Sequence, residues 1–185
     1  MSPQLLSKRL QLRLIQQSDI EAIHKLQSLP EVDKYNTLGI PKDLEETKAV
    51  MASSFEDLKQ EVITRYTFVI ESLDNKEFIG LIALNLGNPK YKSAEVWYKL
   101  FPKYWGNGYA TEALKCLLDF GFNKLKLHRI EAGCAVDNLG SIKVLVKSGF
   151  SYEGRKRKVL PLKTGWSDNF EYSILEDEYV KLMRS

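Results

Sequence analysis

The sequence predicts an α/β domain of the α+β kind, with helices flanking a mixed, mostly antiparallel sheet. Three observations support this fold class. Short apolar runs, several of them alternating, predict strands in the middle and at the end of the chain. Turn-forming clusters such as Asp74, Asn75 and Lys76 join neighbouring strands closely enough for hairpins. Helical spacing appears between only some of the strands, which favours an antiparallel meander interrupted by helices over a doubly wound sheet.

The first third of the chain predicts one strand and two helices. Leucines at alternating positions predict a strand from Leu10 to Leu14. Ser18 is predicted to cap the following helix, with Glu21 as its capping-box partner, and Pro30 to end it. A second helix is predicted from Leu44 to Leu58.

The rest of the chain alternates between predicted strands and predicted helices. The predicted strands are Tyr66 to Ile70, Phe78 to Leu86, Ala94 to Leu100, His128 to Val136, Phe150 to Leu160 and Asn169 to Leu175. The predicted helices begin at Ala110, at Asn138 and at Glu176. A loop is predicted from Pro161 to Asp168 between the last two strands.

Composition is that of an ordinary soluble globular protein, with 44% hydrophobic and 28% charged residues. The length suits one domain, expected to span residues 1–185. No apolar run approaches the roughly 20 residues that cross a bilayer, and the first eight residues lack the apolar core of a secretory signal. We therefore expect a cytoplasmic protein without a membrane partner. Cys116 and Cys134 show no metal-ligand spacing to a histidine, so no metal site is predicted.

The segment from Tyr104 to Leu114 is the most informative part of the sequence. Gly106 and Gly108 punctuate a loop that runs directly into a helix near Ala110. The start of a helix leaves backbone N–H groups unpaired and carries partial positive charge, and glycine has no Cβ to hold a ligand away. These properties predict a cradle for an anion, in particular a phosphate or diphosphate. The alternative is a loop whose glycines only allow a tight helix entry.

Two familiar phosphate motifs do not fit this segment. Tyr109 and Ala110 follow Gly108, where a P-loop has a lysine and then serine or threonine. The third glycine of a dinucleotide fingerprint is replaced by Ala110, and no parallel βαβ continuation follows.

Three blocks of sequence carry a resemblance to a known family. The first joins residues 94–98 to residues 105–113, the second runs from Asn138 to Phe150, and the third joins residues 165–168 to residues 171–173. With them the chain resembles the GNAT superfamily of acyl-CoA N-acetyltransferases, and more narrowly its Rim-type branch of ribosomal-protein N-terminal alanine acetyltransferases. One position departs from the superfamily pattern, because Trp105 stands where the diphosphate loop usually opens with Arg or Gln.

The resemblance implies a GNAT-like fold and acetyl-CoA as co-substrate, without a metal. The co-substrate would lie in a V-shaped gap between the strands Ala94 to Leu100 and His128 to Val136, its diphosphate on the glycine-loop amides. Its pantetheine arm would pair with exposed backbone of the first of these strands. The residues expected to bind it are Tyr98, Trp105, Gly106, Asn107, Gly108, Tyr109, Ala110, Thr111, Asn138 and Ser141.

Two side chains are candidates for the chemistry of acetyl transfer. Glu95 is the candidate general base, acting directly or through water, because partial burial beside an aromatic pair would raise its pKa. Ser141, in the first turn after Asn138, is the candidate to donate a hydrogen bond or a proton to the departing sulfur. The alternatives are a solvated strand face for Glu95, and helix capping alone for Ser141 and Asn138.

The acceptor is predicted to be the N-terminal α-amine of a protein, such as a ribosomal protein. An α-amine has a pKa near ~7.7–8.0, against ~10.4 for lysine, so more of it is neutral at pH 7 and less is asked of a base. The alternatives are a small-molecule amine, such as a polyamine, an amino acid or an antibiotic, and a non-catalytic acyl-CoA-binding module. Tyr35, Asn36, Trp166 and Asp168 are expected to line the acceptor pocket.

The sequence leaves three points about partners open. The basic run from Arg155 to Lys158 either guides an acidic or RNA-rich partner such as a ribosome, or protects an edge strand. Oligomeric state is undetermined, with a homodimer among the options. A polyamine site would need several carboxylates, and five lie between residues 31 and 46: Glu31, Asp33, Asp43, Glu45 and Glu46.

Overall fold

Helices lie on both faces of an eight-stranded sheet in the computed structural model, which describes residues 3–184. The predicted domain limits, residues 1 and 185, lie outside the described residues. The strands are β1 (Gln4–Leu6), β2 (Leu10–Leu14), β3 (Arg65–Ser72), β4 (Phe78–Leu86), β5 (Ser93–Leu100), β6 (Arg129–Ala135), β7 (Ser151–Leu162) and β8 (Gly165–Leu175). Their spatial order is β1-β2-β3-β4-β5-β6-β8-β7, and only β5 and β6 run parallel among the neighbouring pairs of residues 3–184.

Six α-helices accompany the sheet within the same residues. They are α1 (Ile20–Gln27), α2 (Pro30–Asp33), α3 (Leu44–Asp57), α4 (Tyr109–Asp119), α5 (Leu139–Lys147) and α6 (Glu176–Arg184). A π-helical turn, Phe120–Lys124, extends α4. Within residues 3–184, no helix is long and apolar enough to cross a membrane.

Two apolar cores fix the sheet from opposite faces. Side chains alternate between the faces of a strand, so on β4 Leu84 packs in the core that contains Leu114 of α4, while Leu81 packs in the core that contains Ile23 and Phe55 of α1 and α3. Full burial of one such side chain contributes roughly 1.5–3 kcal/mol relative to exposure. The two cores therefore hold β4 between helices on both faces of the sheet.

The start of α1 differs from the prediction. Ser18 does not cap the helix, because it lies inside a 3-10 helix, Gln17–Asp19, that leads into α1. Asp19 is the N-cap of α1 but makes no side-chain cap hydrogen bond there; its carboxylate accepts from the Gln16 N–H (2.7 Å) and completes the capping box of the 3-10 helix. Pro30 does not end α1 either; it begins α2, where its missing N–H costs no helical hydrogen bond.

The last two strands form a tighter hairpin than predicted. Residues 163–164 join β7 to β8, where the sequence predicted a loop from Pro161 to Asp168. Pro161 is tolerated within β7 because this strand is an edge of the sheet. The edge position agrees with an edge-protecting role for the basic run Arg155 to Lys158.

Candidate active site

A gap opens in the sheet where β5 and β6 diverge. The two strands pair over three positions, ending at Glu95 opposite Glu131, although β5 continues to Leu100 and β6 to Ala135. The Gly87 N–H donates to the Ser93 carbonyl and the Phe101 N–H to the Ile79 carbonyl, so odd-numbered positions of β5 pair with β4.

Along an antiparallel pair, the backbone N–H and C=O groups of successive residues point alternately toward and away from the partner strand, and this determines which groups of β5 face the gap. The N–H and C=O groups of Val96 and Tyr98 point away from β4, toward the side on which β6 has diverged. The gap is therefore lined by backbone groups that can pair with an extended, amide-containing ligand as an added strand would.

The glycine loop lies at the end of this gap and presents unpaired amides. Gly106 and Gly108 have φ values of 76° and 79°, in the left-handed region that favours glycine. Gly108 is the N-cap of α4 and offers no capping side chain. Within residues 3–184, none of the N–H groups of residues 106–111 has a hydrogen-bond partner. An anion cradle with that many free donors fits a diphosphate.

Two side chains of the loop hold its shape. The Trp105 indole N–H donates to the Leu100 carbonyl oxygen at 2.8 Å, which fixes the end of β5. The Asn107 side-chain amide donates to the Trp105 carbonyl oxygen at 3.0 Å. The tryptophan that replaces the usual Arg or Gln thus anchors the loop to the strand through its ring N–H.

Tyr98 and Ser141 meet between β5 and α5. Their hydroxyl oxygens are 2.8 Å apart, although 43 residues separate them in sequence. Burial raises the pKa of Tyr98, so its phenol stays protonated at neutral pH. The Asn138 side chain caps α5 by accepting from the Ser141 N–H at 3.1 Å, which confirms its predicted N-cap.

Glu95 has an exposed side chain in a carboxylate-rich part of the sheet. Its pKa is raised, first by partial loss of hydration and then by the charges of Glu171 and Glu131, while Lys156 opposes the shift. The direction agrees with the expectation for Glu95, but the neighbouring charges were missed. Glu131 and Glu171 belong to β6 and β8, and their proximity follows from register rather than from local sequence.

Three of the four predicted acceptor residues line one cavity. Tyr35, Trp166 and Asp168 are at the wall of a pocket of about 480 Å³, and the Trp166 side chain is 61% exposed. Asn36 does not line it; its side-chain oxygen accepts from the Leu38 N–H at 3.4 Å, and it acts as a local turn residue.

Asp168 is held by its own neighbours. It is buried, and its carboxylate accepts from the Arg155 guanidinium at 2.6 Å and from the Lys158 N–H at 2.9 Å. The backbone contact and then the guanidinium lower its pKa. The sequence did not identify Lys34, Arg155 and Lys158 as lining residues, and they give the pocket a cationic wall.

Four of the five carboxylates between residues 31 and 46 have partners within the protein. Asp33 is buried and lies 2.9 Å from the Lys163 ammonium. Asp43 caps α3, and Glu46 accepts from the Lys42 N–H at 2.7 Å. Glu45 pairs with Lys48 on an exposed helix face, which is a weak interaction.

Comparison with known proteins gives a family and a structural likeness. Residues 9–151 match the acetyltransferase (GNAT) domain. The chain is 35% identical to an uncharacterized N-acetyltransferase of Bacillus subtilis over 95% of this chain and 98% of that one. It is 32% identical to a ribosomal-protein-serine acetyltransferase of Escherichia coli over 55% of this chain and 56% of that one.

Solved structures of acetyltransferases are similar to this fold. A spermidine N-acetyltransferase of Vibrio cholerae, in complex with CoA and spermine, has a TM-score of 0.83 and 25% identity. The match covers 94% of this chain and 99% of that one. This likeness and the mixed sheet flanked by helices confirm the predicted fold class.

Proposed function

This chain belongs to the acetyltransferase (GNAT) family and is an acetyl-CoA-dependent N-acetyltransferase; we propose that its acceptor is the N-terminal α-amine of a protein, such as a ribosomal protein. The charge of the acceptor pocket carries this proposal. Arg155 and Asp168 in its wall pair with each other, which leaves the ammonium groups of Lys34 and Lys158 and the one carboxylate of Asp137. A polycation would be repelled there, whereas a single neutral amine followed by peptide would not.

The remaining walls of the pocket suit a peptide. Trp166 offers an exposed aromatic face for an apolar side chain. The Tyr35 hydroxyl donates to the Asp137 carbonyl oxygen at 2.9 Å, which holds the ring in place as a second aromatic wall. The partial likeness to a ribosomal-protein-serine acetyltransferase supports the same acceptor class.

In this proposal the donor binds along β5 and across the start of α4. The amides of residues 106–111 hold the diphosphate, and the backbone of Val96 and Tyr98 pairs with the pantetheine arm. Acetyl-CoA supplies an activated thioester. The side chains of Trp105 and Asn107 shape the loop, while the amides of Gly106, Asn107, Gly108, Tyr109, Ala110 and Thr111 make the contacts.

The chemistry is a direct attack in a ternary complex. Glu95, directly or through one water, accepts the proton of the amine as its nitrogen attacks the thioester carbonyl carbon. A gap-facing N–H of β5 donates to the carbonyl oxygen as charge develops there. The C–N bond forms and the C–S bond breaks; the Ser141 hydroxyl donates a hydrogen bond to the departing thiolate and itself accepts from the Tyr98 hydroxyl.

A small polyamine is the second candidate acceptor. The structural likeness to a spermidine N-acetyltransferase favours it, as does the carboxylate group of Glu95, Glu131 and Glu171, which could attract an ammonium ion. The engagement of Asp33, Asp43 and Glu46 by groups of the protein itself argues against it.

An acceptor panel separates the two candidates. The enzyme is incubated with acetyl-CoA and a free-N-terminus peptide, the same peptide with a blocked N-terminus and an internal lysine, or spermidine, and release of free thiol is measured. We expect the highest kcat/KM with the free N-terminus and little turnover with the blocked peptide. A higher kcat/KM for spermidine than for all peptides would refute the acceptor proposal and leave the enzyme class intact.

A further inference from the structure

One arginine holds the glycine loop from outside the cradle. Arg9 lies just before β2, and both of its terminal guanidinium nitrogens donate to the Asn107 carbonyl oxygen at 3.2 Å. Its guanidinium carbon lies 4.3 Å from the centre of the Tyr109 ring, and its Nε donates to Glu112 Oε2 at 2.7 Å. A single side chain thus contacts the loop and the first turn of α4.

The contact with the Asn107 carbonyl sets the direction of the next N–H. In a planar trans peptide, the C=O of residue 107 and the N–H of Gly108 point in opposite directions. Arg9 draws the carbonyl to one side, so the Gly108 N–H is directed to the other. Gly108 forms one end of this peptide unit, and glycine adopts φ of either sign, so without the contact the unit could rotate about that bond.

Arg9 also compensates a charge that would oppose the donor. Glu112 lies in the first turn of α4, and its carboxylate accepts from the Arg9 N–H (2.8 Å), the Arg9 Nε and the Ser7 hydroxyl (2.9 Å). Burial acts to raise the pKa of Glu112, but these hydrogen bonds and the charge of Arg9 lower it below its usual value. The carboxylate is therefore ionised, and without Arg9 its charge would repel a diphosphate.

We propose that Arg9 is a positioning residue for the anionic end of the donor: it orients the peptide between Asn107 and Gly108 and neutralises Glu112. This inference rests on the proposed donor site at residues 106–111. It assigns Arg9 no part at the thioester, so the effect of its loss depends on whether the donor carries a diphosphate.

Two donors test this dependence. Acetyl-pantetheine has the thioester and the arm of acetyl-CoA but no diphosphate. For Arg9→Gln we expect kcat/KM to fall about tenfold with acetyl-CoA, as for a lost hydrogen bond between charged groups, and to stay unchanged with acetyl-pantetheine. Arg9→Lys keeps the charge without the planar fork, so it recovers part of the loss.

A matched control uses another arginine outside the site. The Arg65 guanidinium on β3 donates to the Ser53 hydroxyl at 2.6 Å, and Arg65→Gln is expected to change neither rate. Equal losses with both donors for Arg9→Gln would assign it a purely structural role, and unchanged rates with both would leave it no role. Either result overturns the inference.

The variant Gly108→Val distinguishes an incorrect role for Arg9 from an incorrect donor site at residues 106–111. If Gly108→Val keeps the wild-type preference for acetyl-CoA over acetyl-pantetheine, the donor site is wrong and the inference falls with it. If Gly108→Val loses that preference and Arg9→Gln keeps it, the inference alone is wrong. Melting temperatures measured for each variant exclude unfolding as the cause.

Discussion

The helices α4 and α5 both begin beside the gap, but they differ in what can bind the N–H groups of their first turns. Each helix start leaves backbone N–H groups without intrahelical partners. At α5, the Asn138 side chain satisfies the Ser141 N–H within the protein. At α4, the N-cap is Gly108, which has no side chain, and the amides of residues 106–111 have no partner within residues 3–184.

The difference separates a structural terminus from a binding terminus. A cap supplied by the chain itself stabilises a helix by about 1 kcal/mol and leaves little for a ligand. A glycine start forgoes that stabilisation and keeps its donors free for a bound anion. The two helices therefore predict opposite mutational behaviour, with ligand binding sensitive at α4 and stability sensitive at α5.

The largest effect is expected from distorting the glycine loop at α4, where Gly108 has a φ of 79° and an added Cβ would lie 3.6 Å from Arg9 Nη2. Gly108→Val, alone or with Ala110 also enlarged, is expected to abolish protection by coenzyme A. In the wild type, a ligand at 100 times its Kd stabilises the fold by about 2.7 kcal/mol, measured by thermal unfolding. Gly39→Val is the control, because Gly39 also has positive φ (80°) and open space around it. Gly39→Val introduces similar backbone strain but should keep the protection by coenzyme A. Loss of the protection in Gly39→Val would show that strain alone, and not the position of Gly108 in the donor site, causes the effect.

Removal of the proposed base comes next. Glu95→Gln is expected to lower kcat/KM for a peptide acceptor about 100-fold near pH 7, within the usual range for general-base catalysis. The carboxylate assists between its own raised pKa and the pKa of the α-amine near ~8, above which the amine is neutral unaided. The loss should shrink as pH rises through 8. A loss that is the same at every pH would contradict the role of a base.

A smaller effect is expected at the first turn of α5. Ser141→Ala should lower kcat about tenfold at every pH, on the scale of one hydrogen bond to a charged group, because the Tyr98 hydroxyl remains as a donor. Tyr98→Phe combined with Ser141→Ala should lower it by more than the product of the single effects, since the hydroxyls are 2.8 Å apart and coupled. Strictly multiplicative single effects would show that they act independently.

The smallest kinetic effect is expected at the cap of α5. Asn138→Ala is expected to reduce the free energy of unfolding by about 1 kcal/mol, measured by denaturant titration, with little change in the KM for acetyl-CoA. A large rise in that KM would mean that the Asn138 amide contacts the donor, as the sequence also allowed, and would narrow the contrast between the helices.

Local patterns in the sequence predicted the long elements and both helix starts. The alternating leucines predicted β2 and the apolar spacing predicted α4. Both predictions are confirmed, because the period of a strand or helix determines which of its side chains face the core. β1 was missed, since three residues are too few for a period to appear. Ser18 was wrongly predicted as the cap because a 3-10 helix, Gln17–Asp19, precedes α1 and its capping box is formed by Gln16 and Asp19.

The parts of the site to which several strands contribute could not be predicted from the sequence. The glycine loop is contiguous, so its chemistry could be predicted from the residues themselves. The contact of Arg9 with Asn107 and the approach of Glu131 to Glu95 depend on sheet order and register, which local pattern does not encode. The pairing of Tyr98 with Ser141 likewise needs the fold, although each residue was named separately.

The short parallel pairing of β5 and β6 has a consequence for hydrogen–deuterium exchange. β4 and β8 hold the two strands in place from their outer sides, so the inner edge of β5 can stay unpaired without loss of the sheet. The amides of Val96 and Tyr98 should then exchange with solvent faster than those of Trp97 and Lys99 on the same strand. Bound coenzyme A should slow them selectively and give an alternating protection pattern along a single strand.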